Sequence, residues 1–207
     1  MLQLVFLLIL ACLNGSAYAE QYLSRAITQP IPISSLKKYS SYPVEVQHLI
    51  SKALSLSQKK LTYLYGSANP NNNGMDCSGT INYLLNSVKI PNVPRQANEM
   101  YTWAENKGHL YHVNKQDFHS REFSKLKPGD LLFWTGTYAV HRYPAITHVM
   151  IYLGENNKNQ PLMFGASDGR RYEGKSMRGV SVFDFELPRD NSAAKFVGYS
   201  CIPHLTC

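Results

Sequence analysis

The apolar residues of this chain repeat with a helical period in its first half and alternate as in strands in its second half. Helices are predicted at 44–58, from just after Cys77 to about 88, and around 97–104. Strands are predicted at 131–134, 147–153, 162–167, 180–185 and 196–201. Helices followed by consecutive strands are typical of an α+β domain, so we expect N-terminal helices packed on a central antiparallel β-sheet.

The first 19 residues have the pattern of a secretory signal peptide. The apolar run from Leu2 to Leu13 is too short to cross a bilayer as a helix, and Ala17-Tyr18-Ala19 matches the small residues before a signal-peptidase cut. We therefore expect residues 1–19 to be removed and the protein to be exported to the periplasm, the cell envelope or the extracellular space. The alternative is a lipoprotein signal, with a lipid anchor on Cys12. No later segment is apolar enough to span a membrane.

Residues 20–42, with two prolines and several serines, are predicted to form an extended arm. Residues 43–207 are then long enough for one domain with its own core, and Pro43 suits the first turn of its first helix. The formal net charge of +7 fits attraction to an anionic envelope polymer, and a solvated surface explains it equally well. Export argues against nucleic acid as a partner.

The four cysteines have unlike positions. In an oxidising compartment paired cysteines tend to form disulfides, and Cys201 and Cys207 can close a small C-terminal loop. Cys12 is lost with the signal, which leaves Cys77 without a partner. A lone thiol in an exported protein is either buried and inert or kept for its reactivity.

Cys77 lies in the sequence Asp76-Cys77-Ser78-Gly79, at the predicted start of the second helix. Unpaired backbone N–H groups and the positive end of the helix dipole favour a thiolate at such a position. This is one way in which a nucleophile is activated, although a small buried residue at a helix start is the structural alternative.

Among seven histidines, His148 stands apart because it opens the most strand-like run of the chain. Alternation places His148, Met150 and Tyr152 on one face of this strand and the residues between them on the other. An imidazole here could take the proton of the thiol and later protonate a leaving amine. Strand-edge histidines that only satisfy a hydrogen bond are also common. Histidines 109, 112 and 119 lack the ligand spacing of a metal site, so we expect no metal and no cofactor.

From about Leu61 to Asp184 the chain resembles the NlpC-type cell-wall peptidases, which are papain-like cysteine enzymes that cleave peptidoglycan stem peptides. The matching residues are Tyr63 with Gly66, Asp76 to Gly79, Val93 to Arg95, Leu126 to Phe133, and His148-Val149 followed by Ile151 to Gly154. The resemblance implies a papain-like NlpC-type fold, with Cys77 as the nucleophile, His148 as the general base and Tyr63 as a hydroxyl near the thiol. It also implies that Asp76 and Ser78 help to recognise the amine end of a stem peptide.

The chain departs from the family pattern at three places. The group that orients the base is usually a histidine, and Gly165 stands at its position. Ser167, Asp168, a backbone carbonyl or water could replace it. Gln96 follows Arg95 where relatives usually carry serine, and the insertion 135–146 lengthens the approach to His148 and could narrow the cleft or bind substrate carboxylates.

The sequence thus predicts an exported cysteine peptidase that hydrolyses peptide bonds in peptidoglycan stems through a thioester intermediate. One alternative is a papain-like amidase or acyltransferase that acts on another substrate. The other is a catalytically weak protein that binds the cell wall or serves as an adaptor, which the glycine at position 165 favours. The bond cleaved and the oligomeric state are left open.

Overall fold

The computed structural model describes residues 25–207. The predicted signal peptide at 1–19, with Cys12, and the first part of the predicted arm therefore lie outside the described residues. No helix within 25–207 is both long and apolar enough to cross a membrane.

The three predicted helices are present. They span Val44–Ser57 (α1), Cys77–Ser87 (α2) and Ala97–Asn106 (α3). Their apolar stripes are buried, with Leu49 and Ile50 of α1 and Ile81 of α2 fully inaccessible to solvent. Each helix begins where a local signal allows it: Pro43 precedes α1, Asp76 caps α2, and Glu99 accepts the Gln96 N–H at the start of α3.

Within residues 25–207, eight strands form two sheets. They span Thr62–Tyr63 (β1), Gly74–Met75 (β2), Leu110–His112 (β3), Leu131–Thr135 (β4), Ile146–Glu155 (β5), Pro161–Tyr172 (β6), Lys175–Asp184 (β7) and Lys195–Ser200 (β8). Strands β1 and β2 form a small parallel pair. The other six form one sheet in the order β3-β8-β4-β5-β6-β7, and all of its pairings are antiparallel. The expected α+β domain with an antiparallel sheet is confirmed.

The alternation predicted for β5 separates two buried clusters. Val149, Ile151 and Leu153 face the helices and join the main core. Met150 and Tyr152 face the other side and pack in a cluster rich in aromatic rings, with Trp134, Phe183, Phe196 and Tyr199 among its members. The central sheet is thus covered on both faces, which explains why nearly all of β5 is buried.

Residues 25–42 differ from the extended arm that the sequence suggested. Two short 3-10 helices, Ile33–Ser35 and Tyr39–Ser41, interrupt the segment. Its main chain bridges Ile27 to Arg178, while Ile31 and Leu36 are almost completely buried. The apolar side chains between the prolines therefore anchor this segment on the domain.

Strand β3 was not predicted from the sequence. It has three residues, lies at the edge of the sheet and pairs only with β8. An exposed edge strand of this length has no buried face that could impose an apolar pattern.

Candidate active site

Cys77 is the first residue of α2, and its side chain is only 5% exposed. Its sulfur lies 3.9 Å from the carbonyl oxygen of Thr147, and the backbone N–H groups of Ser78 and Val149 donate towards it. The helix start therefore presses the thiol against β5, on the main chain at either side of His148.

Gly79 explains why the helix can begin so close to the preceding loop. A Cβ atom at this position would lie 2.1 Å from the carbonyl oxygen of Ser67, a distance that no side chain could tolerate. The same carbonyl accepts the N–H of Asp76 at 3.0 Å. The contact between helix and loop fixes the main chain on which the thiol sits.

The Asp76 carboxylate is saturated with donors. It accepts the backbone N–H groups of Gly79 at 2.6 Å and Gly66 at 2.8 Å, and both terminal nitrogens of Arg95 at 2.7 and 3.1 Å. Arg95 also donates to the hydroxyl of Ser78 at 3.0 Å. Asp76 and Ser78 thus tie the helix start to two neighbouring segments, and a substrate amine at Asp76 would compete with Arg95.

His148 lies on β5 beside Trp134 of β4, and the two ring centres are 5.7 Å apart. The imidazole is almost entirely buried, and its Nε2 atom has no hydrogen-bond partner within residues 25–207. Burial disfavours the imidazolium and lowers the pKa of His148 well below its usual value, and the nearby charge of Arg170 lowers it further.

Tyr63 stands at the end of β1, half-buried, with its hydroxyl directed at the sulfur of Cys77. Burial raises the pKa of Tyr63 far above its ordinary value, and the neighbouring groups Cys77 and Asp76 raise it further. The hydroxyl therefore keeps its proton and acts as a hydrogen-bond donor to the sulfur.

The electrostatics of Cys77 differ from the expectation of a thiolate. Burial raises the pKa of the Cys77 thiol, and the negative charge of Asp76 raises it further. Hydrogen bonds from the backbone N–H groups of Ser78, Val149 and Cys77 itself lower the pKa, but they do not outweigh burial. These shifts favour the neutral thiol of Cys77 and the neutral imidazole of His148.

Met150 of β5 fills the space that the family's orienting side chain would occupy at Gly165 of β6. A Cβ atom at Gly165 would lie 3.0 Å from Cγ of Met150, so the methionine side chain occupies the space above the glycine. Ser167 is buried and lines the same cavity as His148. Asp168 is exposed, and its carboxylate binds Arg178 at 3.0 Å.

Two cavities near Cys77 and His148 share part of their lining. One, of about 270 Å³, is lined by Cys77 together with Asp76, Ser78 and Arg95. The other, of about 660 Å³, contains His148. Tyr63 and Tyr138 line both cavities, so these two rings stand at the boundary between them.

The insertion between β4 and β5 supplies part of this boundary. Arg142 donates to the carbonyl oxygen of Ile146 at 2.7 Å and to Oε1 of Gln96 at 3.2 Å, and it contacts the hydroxyl of Tyr138 at 3.4 Å. The loop thus reaches across the Cys77 cavity to the start of α3. The sequence indicated that this loop could narrow the cleft, but it did not single out Tyr138, which lines both cavities.

Cys201 and Cys207 are joined by a disulfide, with their Cα atoms 5.3 Å apart. Their sulfurs and His109 form the one group of potential metal ligands that comes within ligand distance in the described part of the chain. Because both sulfurs are in the disulfide, they are not thiolate ligands.

Helices packed on an antiparallel sheet, with a cysteine at a helix start against a histidine-bearing strand, define an α+β domain of the NlpC type. The model of the NlpC/P60 family matches residues 60–178, and the chain belongs to this family. It is similar to the probable endopeptidase YafL of Escherichia coli (strain K12), with 31% identity over 93 residues, which are 45% of this chain and 30% of YafL. The match therefore spans less than a third of that relative.

A solved structure is also similar, that of a lipoprotein-like protein of the NLP/P60 family from Staphylococcus aureus subsp. aureus Mu50. The two chains are 24% identical, with a TM-score of 0.43. The superposition covers 67% of this chain and 36% of the other.

Proposed function

We propose that this protein is a cysteine peptidase that hydrolyses a peptide bond in peptidoglycan stem peptides. The observation that carries the proposal is the setting of Cys77, which lies at a helix start with backbone N–H donors around its sulfur and lines a cavity of about 270 Å³. Membership of the NlpC/P60 family and the similarity to a probable endopeptidase support it. Export, and the alternative of a lipid anchor at Cys12, stay predictions from the sequence.

In the proposed reaction, His148 takes the proton of Cys77 when substrate fills the cleft. The thiolate attacks the scissile carbonyl carbon, and backbone N–H groups at the start of α2 stabilise the oxyanion. His148 then gives its proton to the leaving amine, the C–N bond breaks and a thioester remains. A water molecule, deprotonated by His148, hydrolyses the thioester and restores the thiol.

Substrate orientation follows from the lining of the two cavities. Asp76 is the one carboxylate in the lining of the Cys77 cavity, so the amine end of a stem peptide would enter there and exchange with Arg95. The segment released by the reaction would then occupy the His148 cavity, next to the group that protonates it.

The test is to incubate the purified protein with stem peptides and to identify the products by mass spectrometry. Cys77→Ala and His148→Ala are expected to abolish cleavage, because they remove the nucleophile and the base. His119→Ala is the matched control, because His119 is exposed and lies outside both cavities. Equal cleavage by the wild type and Cys77→Ala would refute the assignment.

The neutral resting pair and Gly165 favour a second candidate, a wall-binding protein with little turnover. In that case intact stem peptides would bind the wild type and Cys77→Ala equally well, and no product would form from either. An amidase or acyltransferase would instead be recognised by its products, which would include the released ammonia or the acyl group transferred to an added amine.

A further inference from the structure

We propose that Arg170 binds a carboxylate of the substrate on the His148 side of the cleft. This inference rests on the proposed function and adds a specificity: the residue whose amine is released should carry a free carboxylate. No residue of the family pattern quoted above corresponds to Arg170, which lies in the β6–β7 hairpin.

The guanidinium of Arg170 is held in place by an aromatic ring. Its Cζ atom lies 4.3 Å from the centre of the Trp134 ring, and Trp134 is fully buried between β5 and β8. This stacking leaves the N–H donors at the edge of the guanidinium directed away from the ring. Arg170 and His148 line the same cavity of about 660 Å³.

The charge of Arg170 is not neutralised by the protein around it. Within residues 25–207 it forms no ion pair and no hydrogen bond, whereas Arg95 is paired with Asp76 and Arg178 with Asp168. Glu186 lines the cavity and acts on Arg170 through space, but no ion pair joins them.

Other charged groups in the wall of this cavity are Arg171, Arg189, Asp168 and Asp184. Arg171 and Arg189 are exposed, so water screens them more than it screens Arg170. Burial lowers the pKa of Arg170 to about 10, which still leaves it charged at neutral pH. A cation kept partly out of water without a counter-ion has a desolvation cost, and a substrate carboxylate would offset it with charge-assisted hydrogen bonds.

The position of the charge relative to the catalytic pair indicates which part of the substrate it meets. Arg170 is near enough to lower the pKa of His148 and to be affected by the charge of Cys77. Because His148 protonates the leaving amine in the proposed reaction, the leaving residue lies in the same cavity as Arg170. A carboxylate close to that amine, such as the free end of a short stem peptide, would meet the guanidinium.

The cations of the other cavity are already engaged. Arg95 binds Asp76 and Ser78, and Arg142 binds the carbonyl oxygen of Ile146 and the side chain of Gln96. Arg142 forms no ion pair and its buried Nε has no partner within residues 25–207, but both of its terminal nitrogens are held by protein oxygens. Arg95 is neutralised by Asp76, so the effect of a substrate carboxylate is expected on the His148 side.

The first experiment compares two stem peptides that differ only in the leaving residue, which ends as a free carboxylate or as a carboxamide. We expect the wild type to show a kcat/KM at least about tenfold higher for the acid, since a hydrogen bond to a charged group has this order of effect. Equal values for the two peptides would overturn the proposal without any variant. They would leave the peptidase assignment intact.

The second experiment uses variants. Arg170→Gln should lower kcat/KM for the acid more than for the amide, so that the ratio of the two values falls towards one, while Arg170→Lys should retain part of the preference. Arg121→Gln is the control for net charge, because Arg121 is exposed and outside the cleft. A loss that is equal for acid and amide would mean that Arg170 acts on the catalytic pair instead, and it would also overturn the proposal.

Binding of the same two peptides to Cys77→Ala, measured by calorimetry, separates this inference from the proposed function. The acid should bind more tightly than the amide, and adding Arg170→Gln should abolish the difference. This result would support the carboxylate site even if no peptide were cleaved. Equal binding of acid and amide to Cys77→Ala would count against the site whatever the outcome for catalysis.

Discussion

At the scale of single residues, opposing influences act on the pKa of the Cys77 thiol. The helix start supplies backbone donors that lower its pKa, as the sequence suggested. Burial against β5 and the charge of Asp76 raise the pKa and dominate. The sequence could place Cys77 at the helix start, because the apolar stripe that follows it marks that start. Periodicity alone could not show which strand covers the sulfur, because this contact joins residues 70 positions apart. It was the family resemblance that paired Cys77 with His148.

The raised thiol pKa and the lowered imidazole pKa predict the pH dependence of alkylation. A raised pKa means less thiolate at any given pH than in free cysteine, whose pKa is about 8.5. The rate of reaction of Cys77 with iodoacetamide should therefore keep rising above pH 8.5, with no plateau at acid or neutral pH. Mass spectrometry of the peptide that contains Cys77 provides the measurement.

The matched control is the same protein unfolded in urea, where Cys77 loses its burial and should react at lower pH than in the fold. A reaction rate that is already constant between about pH 5 and 7 would contradict the prediction, because it would require a thiolate–imidazolium pair in the free protein.

At the scale of elements, the pairing of β5 with β6 determines what can stand at position 165. Ile151 pairs with Phe164, so Met150 and Gly165 come side by side on the face that carries His148. Sequence alternation predicted these faces correctly. It did not predict that Met150 would fill the place of the orienting side chain, because that depends on the register between two strands.

This pairing predicts a coupling between the two positions. Gly165→His alone should lower the free energy of unfolding by about 1–3 kcal/mol, because the new side chain overlaps Met150. In the double variant with Met150→Ala the imidazole should fit, so the double variant should be more stable than the sum of the two single changes predicts. Denaturant unfolding of the four proteins measures this coupling. Strict additivity would mean that the two side chains do not share the space.

Alternation along β6 does not predict which face of the sheet Arg170 lies on. The pairing of β6 with β7 shifts register between Asp168 and Arg171, and Gly169 has a φ of +120°. Beyond such a bulge the rule that every second residue shares a face no longer applies. Alternation therefore offered no reason to place Arg170 in the cleft. For His148 the uninterrupted run defined the strand face, and the family resemblance implied its role as the base.

At the scale of the whole molecule, the disulfide between Cys201 and Cys207 closes a short loop that follows β8. Ile202 inside the loop is fully buried, and its carbonyl oxygen accepts the N–H groups of Thr206 and Cys207. The loop thus has its own hydrogen bonds and an apolar anchor in addition to the covalent link. The sequence predicted the pairing from spacing and compartment, but it could not predict the anchoring of Ile202 in the core.

Removing the disulfide should lower the stability of the fold and leave peptide cleavage intact. Closure of a loop this short restricts the unfolded chain by roughly 2 kcal/mol, so Cys201→Ser with Cys207→Ser should lower the free energy of unfolding by about that amount. Denaturant titration gives the value, with the reduced wild type as the control. Neither cysteine lines the two cavities, so peptide cleavage should persist, and its loss would contradict this separation.

The burial of Cys77 has a consequence for the lifetime of the protein. Peroxides and small disulfides attack a cysteine through its thiolate, and they need access to the sulfur. Because the Cys77 thiol is neutral and only 5% exposed, it offers these reagents little thiolate and little access to the sulfur. The proposed nucleophile would thereby resist oxidation in the absence of substrate, at the cost of a smaller thiolate fraction at neutral pH.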